Sequence, residues 1–212
     1  MKDALYRDLR PRKVPRQARA LVTVASIVEA TIQVLKKPEV FTSSTTGIAE
    51  RAGVSVGTLY QYFPHRNSLV YEALQRHLDS VAVAIEELCQ KNRGKTIECL
   101  VVDFANGYVD LKIARAADRA TLHGHMTELG MVQAKDELMD RAALAVANLL
   151  ATAPDVKFTS AEETAAVLLR EVETLSWPAM RDAENADQLD RIRCSVVAFV
   201  RHFVLQQSST VS

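Results

Sequence analysis

Turn-forming residues are scarce in this 212-residue chain: seven glycines and six prolines make up about 6% of it, roughly half their usual combined share. An all-β sandwich or barrel needs turns about every ten residues, so this scarcity argues against that class. Disorder is disfavoured too, because 48% of the residues are hydrophobic and can be buried. Cysteine is sparse and odd in number. Cys89, Cys99 and Cys194 make no CxxC or metal-type spacing, which fits a reducing compartment better than a disulfide framework. No apolar stretch of signal length opens the chain, since Met1 to Arg19 is basic and interrupted by Pro11 and Pro15. No run approaches the ~18 apolar residues of a membrane span. The expectation is a soluble cytoplasmic protein with no membrane partner.

Net charge is also missing: 26 Lys+Arg face 26 Asp+Glu, which by itself argues against a nucleic-acid binder. The balance is a cancellation. Residues 1–80 hold twelve Lys/Arg against seven Asp/Glu, and the remaining 132 hold fourteen against nineteen. The first part therefore carries +5 and the rest −5, an asymmetry that suggests a nucleic-acid- or membrane-facing half. The plain alternative is that these are solvated faces.

What is present is helical periodicity. Residues 1–15 read as a flexible basic arm. From Ala20, the residues Leu21, Val24/Ala25, Val28, Ile32 and Leu35 recur at helical steps, and Pro38 stops the helix. Two brief helices fit between Thr45 and Phe63, separated at Gly53. A long helix follows Pro64 to about Gln90, burying Leu69, Val70, Ala73, Leu74, Leu78, Val81, Ile85 and Leu88. Residues 96–120 read as one helix and residues 121–134 are ambiguous. A helix over 135–152 ends before Pro154. Ser160 opens another, with Glu163 at the capping-box position. The last begins near Asn185, and the tail from Gln206 reads as frayed. The fold class is all-α.

The informative segment is Thr45 to Pro64, TTGIAERAGVSVGTLYQYFP. A helix-turn-helix unit needs a small residue where its helices cross, and a turn residue tolerant of positive φ. Ala49 and Gly53 fit these positions. Ile48, Val54 and Leu59 supply an apolar lock, and Ser55 stands where an N-cap belongs. The helix from Val56 to Phe63 would then be the recognition helix, its N-terminal residues aimed at base edges in the major groove. The alternative is a purely structural helical corner. Leu59 and Phe63 read as core on either view.

IAERAGVSVGTLYQYFPHRNSLV, residues 48–70, resembles the DNA-binding signature of the TetR (tetracycline-repressor-like) transcriptional regulators, and the likeness extends over roughly residues 16–77. The resemblance implies a homodimer whose N-terminal domain binds a palindromic operator. It implies a C-terminal domain, over 78–206, that dimerises and holds a small-molecule effector, with a tail at 207–212. A repressor released from its operator by that effector is the implied function. Thr46 matches a threonine that contacts phosphate, and Tyr60 a tyrosine that does so. Gly57 and Thr58 fall on the front of the recognition helix, and Gln61 and Tyr62 at variable, base-reading positions. Arg66 replaces a lysine at the start of the fourth helix, suited to phosphate. His65 stands where a small capping residue is common, and the loop after the first helix has Pro38, Val40 and Phe41 in place of a glycine. With Ser55 and Val56, these ten residues from Thr46 to Arg66 form the expected DNA-binding set.

In the second half, Leu168, Val172 and Leu175 on one helix and Leu189, Ile192, Val196, Phe199 and Phe203 on the next repeat at three- and four-residue steps, as a four-helix dimer interface requires. The alternative is that both stripes face the chain's own core. Tyr108, His123, Met126 and Trp177 are candidate effector-pocket residues. His123 and His125 sit two apart and share no helix face, so no metal site is expected, and no cofactor. An α-helical enzyme using His123/His125 with Asp118 or Glu128 is the reading from another class, although no nucleophile elbow, phosphate loop or paired-carboxylate signature supports it. A DNA-binding dimer without an effector is the third. The expectation is a regulator and not an enzyme.

Overall fold

The computed structural model describes residues 17–36, 44–181 and 186–210, apart from the side chains of 116–121 and 175–181. The basic arm, Pro38, Val40 and Phe41, and the side chains of Leu175 and Trp177 lie outside the described residues. The chain is all-α but for one small ladder. The helices are α1 (Ala18–Lys36), α2 (Thr45–Ala52), α3 (Val56–Tyr62), α4 (Arg66–Lys91), α5 (Ile97–Ala114), α6 (Ala116–Glu128), α7 (Val132–Leu150), α8 (Ala161–Arg181) and α9 (Ala186–Gln206). Strand β1 (Val156–Phe158) precedes α8, and β2 (Ser208–Thr210) follows α9. The two strands pair antiparallel, Val156 opposite Thr210 and Phe158 opposite Ser208. The tail expected to fray is therefore tied down over 208–210 by backbone pairing.

Two compact units divide the chain. One takes Met1–Leu78 with Ala117–Gln133, the other Asp79–Ala116 with Ala134–Ser212. The stretch 78–206, expected as one domain, is thus interrupted by a segment that groups with the N-terminal residues.

In the first unit, α1 buries Val24, Ile27, Val28, Thr31, Val34 and Leu35. Leu21, expected on this face, is 52% exposed. The helix is apolar on more than one side, so two stripes share its period and the stripe through Ile27 and Val34 packs inward. Thr31 is fully buried and satisfies its hydroxyl on the Ile27 carbonyl at 2.8 Å. By length and mean hydropathy α1 could cross a membrane, which corrects the expectation that no run comes close. Its composition is that of a core helix: Arg19, Glu29 and Gln33 interrupt it, and its buried side lies among the unit's other buried residues, Ile48, Leu59, Phe63, Leu69 and Leu74.

The helix expected over 96–120 breaks at Arg115, whose amide folds back onto the Lys112 carbonyl at 3.2 Å. Nothing in the alanine-rich sequence there marks the break. The ambiguous stretch is α6, ended by Gly130 at φ 65°, with Met131 N–H reaching the Met126 carbonyl at 2.9 Å, a Schellman closure.

In the second unit α9 packs along α5 and α8, burying Phe104, Val109, Leu168, Leu169, Val172, Val196, Val200 and Val204. Ion pairs Glu98–Arg201 at 2.5 Å and Asp110–Arg193 at 2.7 Å flank α5 and α9. The N-terminus of α5 has no capping hydrogen bond from Thr96. The Asp155 carboxylate accepts the Ile97 amide instead, at 2.9 Å. Gly107 lies against Leu88, where an added Cβ would come within 2.4 Å of Cδ1, so it lets α4 and α5 approach closely.

Candidate nucleic-acid interface

Helix α2 starts at Ser44, whose Oγ accepts the Gly47 amide at 3.1 Å. It ends at Gly53, φ 68° and ψ 31°, a left-handed conformation that favours glycine. The Val54 amide returns to the Ala49 carbonyl at 3.0 Å, so two orphan carbonyls of α2 are used in the turn. Ser55 then caps α3: its Oγ accepts the Thr58 amide at 3.0 Å and lies 2.8 Å from the Thr58 hydroxyl. Ile48, Ala49, Leu59 and Phe63 are buried and Val54 half-buried. Two helices are thereby locked about a tight turn, as the sequence predicts.

The other side of α3 faces solvent. Ser55, Gly57, Tyr60, Gln61 and His65 are exposed, while Val56, Thr58, Tyr62 and Arg66 are half-buried. α3 contains no charged residue. The Tyr60 hydroxyl lies 3.1 Å from the Thr45 hydroxyl, so two hydroxyls from α2 and α3 converge at one surface point. Sequence reasoning named Thr46, which is exposed, and missed its neighbour. The pairing is set by the register of α2 against α3, which no local sequence pattern specifies. Also missed was a polar chain between α1 and α2: Arg51 Nε donates to Gln33 Oε1 at 2.9 Å, and Gln33 Nε2 to Glu29 Oε1 at 3.0 Å.

His65 does not leave the fourth helix uncapped. Its Nδ1 accepts the Ser68 amide at 3.1 Å, and the Ser68 hydroxyl donates to the His65 carbonyl at 2.7 Å. Imidazole replaces the usual capping oxygen.

Of the effector-pocket candidates, Tyr108 is buried in the second unit. His123 is exposed and Met126 half-buried in the first. The Tyr108 hydroxyl donates to Glu173 Oε2 at 3.2 Å. Lys112 pairs with the same oxygen, and its Nζ stands 4.9 Å from the Tyr108 ring centre. Glu173 forms part of a cleft of about 460 Å³ between α7 and α8, with Lys135, Met139, Asp140 and Arg170. A larger groove of about 930 Å³ runs between α4 and α7, past Val83, Glu86, Cys89, Arg141 and Leu144. There Arg141 clasps Glu86 through two hydrogen bonds, 2.5 and 2.8 Å, which hold that carboxyl below its ordinary value. Burial, reinforced by the Glu86 charge, pushes the Cys89 thiol up to about 12, so it stays protonated and unreactive. Among the described residues no group of three or more His, Cys, Asp or Glu side chains could hold a metal. His125 Nδ1 instead lies 3.3 Å from Glu128.

Of the expected dimer stripe, Leu168, Val172 and Val196 are buried in this chain's own core and offer no face to a partner. Leu189, Ile192, Phe199 and Phe203 are partly exposed. The rings of Phe199 and Phe203 stack with centres 5.9 Å apart.

Comparison with known proteins places this architecture. Residues 27–73 match the model of the bacterial regulatory proteins of the tetR family, a stretch running from the middle of α1 into α4. No curated protein matches the chain. Among solved structures, a protein of Mesorhizobium loti assigned to the TetR-family transcriptional regulators superposes with a TM-score of 0.73 at 19% identity, covering 90% of this chain and 98% of that one. A TetR-family regulator from Marinobacter aquaeolei gives 0.53 at 17% identity, covering 91% and 98%. RolR, solved in complex with resorcinol, gives 0.50 at 15%, covering 89% and 96%. Residues 27–73 are thus similar to the helix-turn-helix domain of the tetR family, and the chain as a whole has the all-α fold seen in TetR-family transcriptional regulators.

Proposed function

We propose that this chain is a homodimeric, sequence-specific DNA-binding regulator, a repressor released from a palindromic operator by a small molecule, and that it acts in the cytoplasm without catalysis. The observation that carries the DNA reading is the two-sided character of α3. Leu59 and Phe63 lock it to its neighbours, while its other edge presents Gly57, Tyr60 and Gln61 to solvent without an acidic residue. Such a helix, docked end-on in a major groove, places phosphate-contacting hydroxyls at its flank and base-reading side chains at its front. Thr45, Thr46, Tyr60 and Arg66 are assigned to phosphate. Val56, Gly57, Thr58, Gln61 and Tyr62 are assigned to the base edges, with Ser55 and His65 at the two ends of this surface.

A two-fold operator needs a two-fold protein, and the partly exposed Leu189, Ile192, Phe199 and Phe203 of α9 supply the face for it. The effector reading rests on the second unit, where buried Tyr108 with half-buried Glu173 and Lys112 adjoins a cleft of small-molecule size. The same fold accommodates resorcinol in RolR.

Selection of bound DNA from a random pool, followed by footprinting at low salt, tests the DNA reading. A protected palindrome is expected, and no enrichment of any sequence would refute it. Thermal-shift screening against small aromatic and lipophilic compounds tests the effector. A compound that raises the melting temperature and releases the selected DNA is expected; a panel that changes neither favours a dimer without an effector.

A further inference from the structure

The start of α4 carries a device that the sequence motif does not require. Resting on the DNA-binding reading above, we propose that His65 is a positioning residue for the DNA-facing first turn of α4. We further propose that it works only while its ring is unprotonated, so that operator binding weakens on acidification through this one side chain.

The geometry is a reciprocal cap. His65 is the residue before the first turn, and its Nδ1 accepts the amide of Ser68, three residues on, at 3.1 Å. Ser68 returns the bond, its hydroxyl donating to the His65 carbonyl at 2.7 Å, while the His65 amide points to the same hydroxyl at 3.4 Å. In the usual box a serine or threonine oxygen accepts at this place. An oxygen accepts at any pH, whereas Nδ1 accepts only with its lone pair free. The capping bond also fixes the tautomer, leaving the ring hydrogen on Nε2.

Burial makes the acceptor necessary. Ser68 is fully buried, so its amide has no water to turn to when Nδ1 takes up a proton and becomes a donor facing another donor. The added charge also falls at the positive end of the α4 dipole, beside Arg66. α3 carries no charged residue, and the nearest acid along α4, Glu72, lies within ion-pair distance of Arg76. Among the described residues no carboxylate pairs with the His65 ring. Loss of the cap loosens the turn that carries Arg66, which is assigned to phosphate. A histidine that contacted phosphate directly would act in the opposite sense, binding more tightly when charged.

That opposition supplies the test. Operator DNA from the selection above is titrated at pH 7.5 and 5.5, at fixed salt, with the parent, His65→Asn and His65→Ala. Thermal unfolding is followed in the same buffers. Asparagine presents its Oδ1 where Nδ1 stood and caps at both pH values, so H65N should bind like the parent at pH 7.5. At pH 5.5 the parent should lose about fivefold in affinity relative to H65N, the scale of one lost cap. H65A should be weak at both. Identical pH profiles for the parent and H65N would overturn the proposal. So would tighter binding by the parent at pH 5.5, which would make the imidazolium a phosphate contact. If no variant binds any selected sequence, the DNA reading fails instead. The cap is then decided by melting alone: acid should lower the parent's melting temperature more than that of H65N, and equal shifts would refute it.

Discussion

Replacing Gly57 with alanine should move two measurements in opposite directions. Gly57 is the second residue of α3 and exposed, and its φ is not in the positive range. A Cβ built on it would meet only Ser55 Oγ, at 3.8 Å, an ordinary contact. Nothing inside the chain therefore requires glycine here, although glycine costs a helix up to about 1 kcal/mol relative to alanine. Near a helix end the saving is smaller, so G57A should stabilise the domain by about 0.5 kcal/mol, or roughly 1–2 °C in melting temperature for a chain of this size. If the α3 backbone closes on DNA at this point, the methyl group occupies space that the operator needs. Overpacking of that kind costs about 1–3 kcal/mol, a loss of about fivefold or more in affinity. Differential scanning fluorimetry and fluorescence anisotropy on the selected operator measure both effects. An alanine variant that melts higher and binds the operator as tightly as the parent refutes the close approach of the α3 backbone. One that melts several degrees lower refutes the reading of Gly57 as structurally dispensable.

Tyr60→Phe and Thr45→Val each remove one hydroxyl from the exposed 3.1 Å pair; both should weaken operator binding about three- to tenfold without lowering the melting temperature, and parent-like affinity in both would remove the pair from the interface. Arg66→Ala should reduce the slope of log affinity against log salt by about one, and an unchanged slope would show that Arg66 neutralises no phosphate. Phe199→Glu combined with Phe203→Glu places two charges on the stacked pair of α9 and should convert a dimer to a monomer in sedimentation. A dimer that survives would move the interface elsewhere. Glu86→Gln should lower the melting temperature at pH 7, because the Arg141 hydrogen bonds hold the Glu86 carboxyl below its ordinary value. A depressed carboxyl stabilises above the ordinary carboxylate range and loses that contribution as pH falls through the folded value. The gap between the parent and E86Q should therefore close as pH falls below the ordinary carboxylate range; a gap constant with pH would show that packing, not charge, is responsible.

How far the sequence could be read followed from where each instruction sits. Gly53, Ser55 and the Ile48–Leu59 lock specify the helix-turn-helix within twenty residues, because left-handed φ, capping and apolar contact all act over short range. The capping serine of α8 was equally local: Ser160 Oγ accepts the Glu163 amide at 3.2 Å. The break at Arg115 was not legible, since alanines on both sides favour continuing the helix. The ladder between Val156–Phe158 and Ser208–Thr210 joins segments some fifty residues apart, each too short to show alternation. The buried face of α1 was read only in part, for a third reason. Val24, Val28 and Leu35 are buried as expected, but Leu21 is exposed and Ile27 and Val34 are buried. A helix rich in Val, Ile and Leu has more than one stripe at the helical period, so the choice lies with the partners and not with α1.

The same distinction sorts the candidate site. Residues whose partner lies in the chain have declared themselves: Ser55 caps, Leu59 and Phe63 are buried, His65 accepts the Ser68 amide, and Thr45 meets Tyr60. Residues proposed to meet another molecule show instead an exposure or a cost that the fold does not use in full. Gly57 gives up helix stability for no close contact, Phe199 and Phe203 pack on the core yet remain partly in water, and Gln61 stands exposed on the acid-free front of α3. These features fall on two surfaces, one on α3 and one on α9. A chain that folded only for its own stability would place alanine at position 57. On α3 the mutations that test function are therefore those expected to leave stability unchanged or improved, and a loss of binding in such variants cannot be assigned to misfolding.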